Sequence, residues 1–483
     1  MKRILTLILL LSLTLLMSGC EEKKEPEPQE PVFLFEPDPQ TGNHFYELDV
    51  TLHPEDRKAS VKGQIIYYNE IPDLDELYVN FYPKAIDFAT RQNTFDLNEF
   101  TVDGVDYLDS ATWTGPDETA LHIDLDETYQ NDDMFIITFD YDFTYWQWDR
   151  IFASQDEDYF VTMFFYPHVA MFDESGWNIE RYTFSGETYY NEVGDYDVTL
   201  HIPSEFIVAS GGDLQYSYEW EGITNYRYYM EDARDYSFSA STLYSVYTKE
   251  INGKNFEIYS IEELSNGQLM QSWSYLENSF NSFEAGVGEY YFDNFVLEYG
   301  LIYGMESTGI VYCDIDISEE TVVHEVAHMW FFSMIGNDQY DFSFLDESMT
   351  TYITAMYFRD LYPIDGYDGY LDSRDSTASR FDYRFSQLEG TSLLQGVDEF
   401  SGEYGYIIYY HGPTIVRSYV DQFLGGDVDQ FLEILQTYYD TYAKEIATLD
   451  NFLDLLETES GVEQTKEWFL LQLNGMQDLT NQP

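Results

Sequence analysis

The hydrophobic and polar residues of the chain follow two periodicities, one in each half. From residue 41 to 248, short runs of alternating apolar and polar residues are separated by Gly, Asp, Asn and Pro, as in YELDVTLHP, GQIIYYNEI and MFIITFDYDF. Alternation with a period of two, in runs rich in Val, Ile, Tyr and Phe, is typical of β-strands with one buried face. The pattern therefore predicts a β-sheet domain over residues 41–248.

Beyond about residue 268 the apolar residues recur at the three- and four-residue spacing of helices. The helical segments are LMQSWSYLENSFNSFEAGVG, a stretch around residue 324, and residues 414–424, 428–438 and 449–457. We therefore predict a multidomain α+β protein, in which the β domain is followed by a mainly helical domain over residues 249–483.

The first forty residues follow neither pattern. Lys2 and Arg3 precede an apolar run that ends at Met17, and small residues precede Cys20. The run is too short to span a bilayer comfortably, and the segment resembles a bacterial lipoprotein signal. We expect residues 1–19 to be a signal peptide that is cleaved before a lipidated Cys20. An uncleaved N-terminal anchor is the alternative.

Residues 20–40 continue from that cysteine into the charged, Pro-rich sequence EEKKEPEPQEP. Such a composition cannot form a core and predicts an extended linker. On this hypothesis the folded part of the chain lies at the extracytoplasmic face of the cell membrane, held there by its N-terminal lipid anchor.

The composition narrows the possible partners. The chain has 90 acidic and 22 basic residues, for a formal net charge of −68, which excludes nucleic acid as a partner. Repulsion of this size is tolerable where salt screens it, so a halophilic source and a preference for basic substrates both remain open. Only two cysteines are present, so with Cys20 in the targeting segment no internal disulfide is expected, and Cys313 is interpreted as a core residue.

The candidate chemistry lies in TVVHEVAHMWF, residues 321–331. His324 and His328 are four residues apart in a segment expected to be helical, so both imidazoles lie on one face and can share a metal ion. Catalytic zinc commonly has three protein ligands and one open position. Glu347 in FLDES follows His328 after eighteen intervening residues, on a second predicted helix from about 346 to 360. We predict one zinc ion per chain, bound by these three residues.

Glu325 follows the first predicted ligand directly. It is suited to take a proton from a zinc-bound water and to pass it to a leaving amine, which predicts peptide hydrolysis. Two histidines in a five-residue motif also occur by chance on polar helices. The spaced glutamate, and the scarcity of histidine (8 in the chain), favour the metal site. Asp346, beside the third ligand, either orients a histidine or caps its helix.

HEVAH, eighteen residues and Glu347 together resemble the HExxH-x18-E signature of the M1 aminopeptidases, which are gluzincins. GDYDVTLHIPSEFIVASGG at 194–212 and ARDYSFSAS at 233–241 also resemble segments of the N-terminal domain of that family. The resemblance covers roughly residues 41–480. It implies a saddle-shaped β-sheet domain followed by a thermolysin-like zinc peptidase domain.

The family binds the free amine of its substrate with a Gly-x-Met-Glu-Asn motif, and YGMES stands at the expected place here. The resemblance implies that Glu306, with Gly304 and Met305, binds the substrate, since a carboxylate that pairs with an α-ammonium selects peptide N-termini. Tyr303 and Ser307 depart from the motif. A turn with a solvated Glu306 is the alternative.

The family also has a catalytic tyrosine whose hydroxyl stabilises the oxyanion of the tetrahedral intermediate. The nearest match is Tyr409 in YYHG, where Tyr410 and His411 replace the family's Glu and Lys. Because 45 tyrosines are present, Tyr404, Tyr406 and Tyr410 compete for this role, and Tyr409 could also merely pack.

Taken together, the residues and the resemblance predict a zinc-dependent aminopeptidase at the cell surface, which hydrolyses N-terminal residues from peptides. An endopeptidase variant, and a catalytically weak or inactive M1-like lipoprotein that binds ligands at the surface, are the alternatives.

Overall fold

The computed structural model describes residues 43–147, 152–155, 157–183, 186–385, 392–400 and 402–474. The predicted signal peptide, Cys20 and the linker to residue 40 lie outside the described residues. All described residues fall within one compact unit. Among them, no helix combines the length and the apolar character needed to cross a membrane.

The first half of the described chain is built from strands. They are β1 (His44–His53), β2 (Lys58–Tyr68), β3 (Leu74–Asn80), β4 (Phe95–Val102), β5 (Val105–Asp106), β6 (Thr112–Thr114), β7 (Ala120–Tyr129), β8 (Met134–Thr144), β9 (Ser154–Gln155), β10 (Tyr159–Met163), β11 (His168–Val169), β12 (Phe172–Asp173), β13 (Gly176–Trp177), β14 (Gly194–Pro203), β15 (Ile207–Ser210), β16 (Asp213–Trp220), β17 (Ile223–Ala233) and β18 (Ser237–Ser241). Between them lie one short helix, α1 (Ala85–Thr90), and 3-10 turns at Pro54–Asp56 and Tyr82–Lys84.

The strands form one large sheet and several small ones. The orders are β16-β17-β14-β1-β2-β8-β4-β5 for the eight-stranded sheet, β15-β18-β10-β9 and β11-β3-β7-β6 for the four-stranded sheets, and β12-β13 for the smallest. Burial alternates along β8, where Phe135, Ile137 and Phe139 face the core. One face of this sheet is therefore buried, as the period-two pattern predicts.

The second half contains a five-stranded sheet as well as helices. Its strands are β19 (Ser245–Ile251), β20 (Lys254–Ser260), β21 (Asn294–Gly300), β22 (Gly304–Ser307) and β23 (Ile310–Asp314), in the order β19-β20-β21-β23-β22. Strands β20, β21 and β23 run parallel, whereas β22 pairs antiparallel to β23 at the edge. The predicted domain boundary at residue 248 falls inside β19, and the division of the chain into domains stays a prediction.

Helices pack against this sheet and make up most of the remaining described chain. They are α2 (Asn266–Gly286), α3 (Glu319–Ala327), α4 (Met349–Leu361), α5 (Gly366–Phe385), α6 (Gly412–Phe423), α7 (Val428–Tyr442), α8 (Leu449–Ser460) and α9 (Thr465–Asn474). Shorter turns are found at Phe344–Ser348, Val397–Glu399, Tyr404–Tyr406 and Ile407–His411. Strands followed by helices in this arrangement confirm the predicted α+β fold with a strand-rich first part.

A buried arginine joins the two halves next to α3. Arg234, 2% exposed, donates hydrogen bonds to four backbone carbonyls: Asn191 at 3.0 Å, Phe332 at 3.4 Å, Met334 at 3.2 Å and Glu445 at 3.0 Å. Two of these carbonyls belong to the loop that follows α3. The strand-rich half therefore holds the loop that leaves the candidate metal helix.

Candidate metal centre and active-site cleft

Helix α3 presents the first two predicted ligands. It follows β23 closely, and the Ser318 side chain caps it by accepting a hydrogen bond from the Thr321 backbone N–H at 3.2 Å. Capping satisfies one of the free N–H groups of the first turn and fixes where the helix begins. The helix ends at Ala327, so His324 lies in its last turn and His328 directly follows it.

The structure brings His324, His328 and Glu347 together. His324 Nε2 lies 3.0 Å from Glu347 Oε2 and 3.2 Å from His328 Nε2, and the third pair, His328 Nε2 and Glu347 Oε2, is 3.4 Å apart. Ligand atoms about 2.0–2.1 Å from a tetrahedral zinc ion lie about 3.3 Å from one another. The three donor atoms therefore already have the spacing of one face of a zinc coordination tetrahedron.

Glu347 reaches this position from a π-helical turn, Phe344–Ser348, which continues directly into α4. A second π-helical turn, Ile407–His411, carries Tyr409 and packs against the first, where the Ser348 hydroxyl donates to the Ile408 carbonyl at 2.7 Å. A Cβ on Gly412 would lie 1.9 Å from Ser348 Oγ, so only glycine allows this crossing. Wide turns of this kind are frequent at functional sites.

The other nitrogen of His328 is held from behind. Asp346 Oδ1 and the Phe331 carbonyl each lie 3.1 Å from His328 Nδ1. Such partners fix the orientation of a metal-binding imidazole and leave Nε2 facing the metal. Asp346 Oδ2 accepts a hydrogen bond from Gln339 Nε2 at 2.9 Å. The structure thus places Asp346 behind a ligand, the first of the two roles open from the sequence.

The electrostatics of the cluster favour a bound cation. Burial lowers the pKa of His328, but the negative charges of Glu306 and Asp346 outweigh it and raise that pKa well above its usual value. Burial raises the pKa of Glu347, yet its bonds with His324 and His328 bring it well below its usual range. Both shifts arise because buried carboxylates here require positive charge, which a divalent metal supplies.

Glu325 lies in α3 and faces the edge strand β22. It is buried and lines the same cleft as His324. A Cβ on Gly304 would lie 2.5 Å from Glu325 Oε1, so glycine at 304 makes room for this carboxylate. The Gly304 position, taken from the sequence as part of a substrate motif, also serves the predicted general base.

Strand β22 carries the other residues of that motif. Glu306 is 2% exposed, lines the cleft and accepts a hydrogen bond from Gln339 Nε2 at 3.3 Å, so it is not the solvated turn residue of the alternative. Met305 is 1% exposed and points to the opposite face of the strand, into the core. Its predicted part in substrate binding stays a prediction.

The two departures from the family motif have structural counterparts. Tyr303 is 75% exposed at the rim of the cleft. Ser307 is buried, and its hydroxyl donates a short hydrogen bond to Asp235 and accepts one from Ser237 at 2.6 Å. Position 307 therefore ties β22 to the strand-rich half.

Tyr409 is the tyrosine nearest the metal ligands. Its hydroxyl donates a short hydrogen bond to Glu347, and its ring centroid lies 5.6 Å from that of His324. Burial and the charge of Glu347 raise the pKa of Tyr409 well above its usual value, so the phenol remains a hydrogen-bond donor. Tyr406 and Tyr410 also line the cleft.

These residues surround a cleft of about 690 Å³. Glu187 and Arg374 are among the lining residues that were not predicted from the sequence. Glu187, 4% exposed, comes from the loop before β14 and lies in one carboxylate cluster with Asp346 and Glu347. Arg374 comes from α5. Neither belongs to a recognisable motif, so a single sequence offers no signal for them.

Comparisons with known proteins agree with this geometry. Residues 303–473 match the family profile described as Peptidase family M1 domain. Over this segment the chain is similar to peptidase family M1. The matched M1 segment begins at the Tyr303 motif and includes all three candidate ligands, Glu325 and Tyr409.

A curated relative of the M1 domain is a probable aminopeptidase 2 of Sulfurisphaera tokodaii. It is 28% identical over 151 residues, which are 30% of this chain but only 19% of that protein. Among solved structures, the M1 zinc metallopeptidase from Deinococcus radiodurans superposes with a TM-score of 0.66 at 13% identity and covers 91% of this chain and 97% of that one.

A mutant of the same Deinococcus radiodurans enzyme was solved with a Tyr-Ser-Ala substrate, and it matches with a TM-score of 0.64 at 12% identity, over 91% of this chain and 97% of that one. At these identities the likeness concerns the fold. The strand-rich half thus shares the architecture of M1 structures along with the M1 domain.

Proposed function

We propose that the protein is a zinc-dependent aminopeptidase that hydrolyses N-terminal residues from peptides. The observation that carries this proposal is the convergence of three donor atoms, from His324, His328 and Glu347, at separations of 3.0–3.4 Å. Two imidazoles and one carboxylate are a typical donor set for catalytic zinc, which keeps an open position for water. The complete set, with Glu325 beside it, argues against the alternative of an inactive binding protein.

A bound zinc ion supplies Lewis-acid polarisation of the scissile carbonyl and lowers the pKa of water. Glu325 takes the proton from the attacking water and delivers it to the departing amine. The Tyr409 hydroxyl remains protonated and donates a hydrogen bond to the oxygen that becomes negative during the attack. Asp346 keeps the His328 ring in the orientation that this chemistry needs.

Glu306 and Glu187 account for selection of the peptide terminus. Both carboxylates are buried and line the cleft beside the ligand cluster. Of the groups in a peptide backbone, only the N-terminal ammonium is positively charged, so these carboxylates attract that end and place the first peptide bond at the metal. This arrangement favours an aminopeptidase over the endopeptidase variant.

A panel of fluorogenic single-amino-acid amides tests the proposal. We expect the zinc-loaded protein to cleave them, and both a Glu325→Gln variant and a chelated sample to lose that activity. An N-acetylated version of the best substrate should resist cleavage. If the protein binds one zinc ion yet cleaves only blocked peptides, it is an endopeptidase. If it cleaves none, the proposed function is wrong.

We further propose that the mature chain is tethered to the outer face of the cell membrane through Cys20. The support is the N-terminal sequence: a basic start, a short apolar run and a cysteine after small residues. The expected result is that the protein partitions into a detergent phase, and that Cys20→Ser moves it to the aqueous phase. Equal partitioning of both forms would remove this proposal.

A further inference from the structure

The cleft has one positively charged side chain of the lysine or arginine type among its described lining residues, Arg374. The same lining includes five glutamates: Glu187, Glu306, Glu320, Glu325 and Glu347. In a chain with 90 acidic and 22 basic residues, a guanidinium at this place stands out. The mechanism proposed above gives it no task.

Arg374 is held rigidly. Its guanidinium lies 4.7 Å from the ring centroids of both Tyr370 and Tyr410, and it donates to the Tyr370 hydroxyl at 3.0 Å. The side chain is 10% exposed. Arginine stacked between aromatic rings loses little further entropy when it binds a planar anion. The group is thus preorganised for a carboxylate.

The guanidinium lines the cleft, and its ion-pair partner there is weakly held. That partner is Glu320, whose side chain is 42% exposed. Arg374 Nε is buried and has no hydrogen-bond acceptor in the described part of the chain, so the other nitrogens of the guanidinium would meet a ligand. An ion pair with so exposed a carboxylate contributes little stability, so a second carboxylate can join or displace it at small cost. An Arg fork binds such a group with two parallel hydrogen bonds.

The end of α3 that Arg374 contacts indicates which part of a substrate it meets. Its partner Glu320 lies in the first turn of α3, whereas Glu306 clusters with Glu325 and His328 at the other end. Eight residues of helix separate Glu320 from His328, about 12 Å. His324 lies between the two ends. A peptide with its ammonium at Glu306 therefore extends past the metal towards Arg374.

We propose that Arg374 is a specificity-determining residue that binds a substrate carboxylate on the leaving-group side of the scissile bond. The carboxylate is either the C-terminus of a short peptide or an acidic side chain. The inference rests on the proposed function only for the direction in which the peptide lies. It makes the protein an enzyme for short peptides with a negative charge after the cleaved residue.

Peptide binding tests this role of Arg374 directly when it is measured at high salt, which screens the charge of the whole chain. We would measure the affinity of the zinc-loaded Glu325→Gln protein for Ala-Ala-Ala as free acid and as C-terminal amide by calorimetry. The free acid should bind about tenfold more tightly, as expected for one charge-assisted pair. Ala-Asp-Ala amide against Ala-Asn-Ala amide forms the second comparison, and shows whether a side chain supplies the carboxylate.

Substitutions then show whether Arg374 causes the preference for a carboxylate. In the same background, Arg374→Gln should abolish the preference for the carboxylate, Arg374→Lys should restore part of it, and Glu320→Gln should increase it because a competing carboxylate is removed. Zinc content and melting temperature check that each variant is folded. If Arg374→Gln does not fold, the direction of the Glu320→Gln effect decides alone.

The inference is overturned if the protein with Arg374 shows no preference in either peptide pair. It is also overturned if Arg374→Gln weakens the binding of acid and amide peptides equally. The wild-type protein should show the same preference in kcat/KM. Failure to hydrolyse any peptide would refute the proposed function. It would not affect the binding comparison, which is made without hydrolysis and tests the role of Arg374 separately.

Discussion

Two buried charged centres lie on either side of the loop that follows α3, and they are built in opposite ways. At the junction of the two halves, every side-chain nitrogen of Arg234 donates to a backbone carbonyl. At the metal centre, Glu306, Asp346 and Glu347 crowd around two histidines. Four backbone carbonyls surround the first charge, whereas the carboxylates of the second cluster are arranged to hold a cation. Completeness of the hydrogen bonding separates a structural buried charge from a functional one.

The largest effect that follows from this contrast concerns the metal centre. Tyr409→Phe removes a donor aimed at the reacting group, so kcat should fall about 10²–10³-fold while one zinc ion remains bound. Steady-state kinetics on an aminoacyl amide and metal analysis measure the two quantities. Tyr406→Phe, in the same cleft but 40% exposed, should change kcat far less. Equal losses in the two variants would mean that Tyr409 only packs.

A substitution at the junction of the two halves should lower the stability of the protein. Arg234→Met leaves four carbonyls without their donor, so the free energy of unfolding should fall by about 3 kcal/mol or more. Chemical denaturation measures it. Arg359→Met is a matched control, because Arg359 pairs with two carboxylates near the surface and should contribute less than about 1 kcal/mol. A small effect at Arg234 would show that the junction is not the closed centre described above.

Asp346 is intermediate between Tyr409 and Arg234, because it supports the metal centre without facing a substrate. Asp346→Asn should weaken zinc binding about 10–100-fold, since His328 loses the charge behind its ring. Competition with a chromogenic chelator measures the affinity. Asp341→Asn, nearby in the chain but outside the ligand cluster, is the control. Unchanged affinity in the Asp346 variant would leave the Phe331 carbonyl as the group that orients His328.

A third buried ionisable group, the carboxyl of Glu298, extends the comparison to the effect of pH. Burial raises its pKa to about 8 from 4.5, against hydrogen bonds from Tyr244 and Tyr159. The native state therefore holds a proton that the unfolded chain has lost between these values. Its contribution to stability is fully present below pH 4.5 and is lost as pH rises through 8.

Inside that pH window, this one group lowers the free energy of unfolding by about 1.4 kcal/mol for each pH unit of increase. Glu298→Gln should remove it, so the variant loses less stability than wild type on going from about pH 6 to about pH 8. Urea denaturation at several pH values measures the difference. Parallel curves for the two proteins would show that Glu298 is ionised in the native state.

The candidate site could be read from the sequence where chemistry fixes local spacing. His324 and His328 share a helical face because 3.6 residues make a turn, and the helix cap at Ser318 is likewise a local property. The spacing after the histidine motif indicated Glu347, and the resemblance to M1 aminopeptidases pointed to Glu306 and Tyr409. All three line the cleft. The location of Cys20 lies outside the described residues, and its lipidation stays a prediction.

The sheet of the second half was not predicted, and the reason is physical. Its strands β21 (NFVLEYG) and β23 (IVYCD) are buried on both faces, so they lack the alternation that marks a half-exposed strand. Helix α5 was missed for the opposite reason: its sequence is largely polar, with two glycines in its first turn. Glu187 and Arg374 were missed with the elements that carry them.

The sequence by itself determined the local elements: alternating strands in the first half, capped helices in the second, and a helix with two histidines and a glutamate on it. Only the tertiary structure decided which distant side chains share a cleft. It brings Glu187 from the strand-rich half to the carboxylates of the second half, and Arg374 to the far end of α3. Such contacts depend on burial and packing between segments far apart in the chain, which no local pattern records.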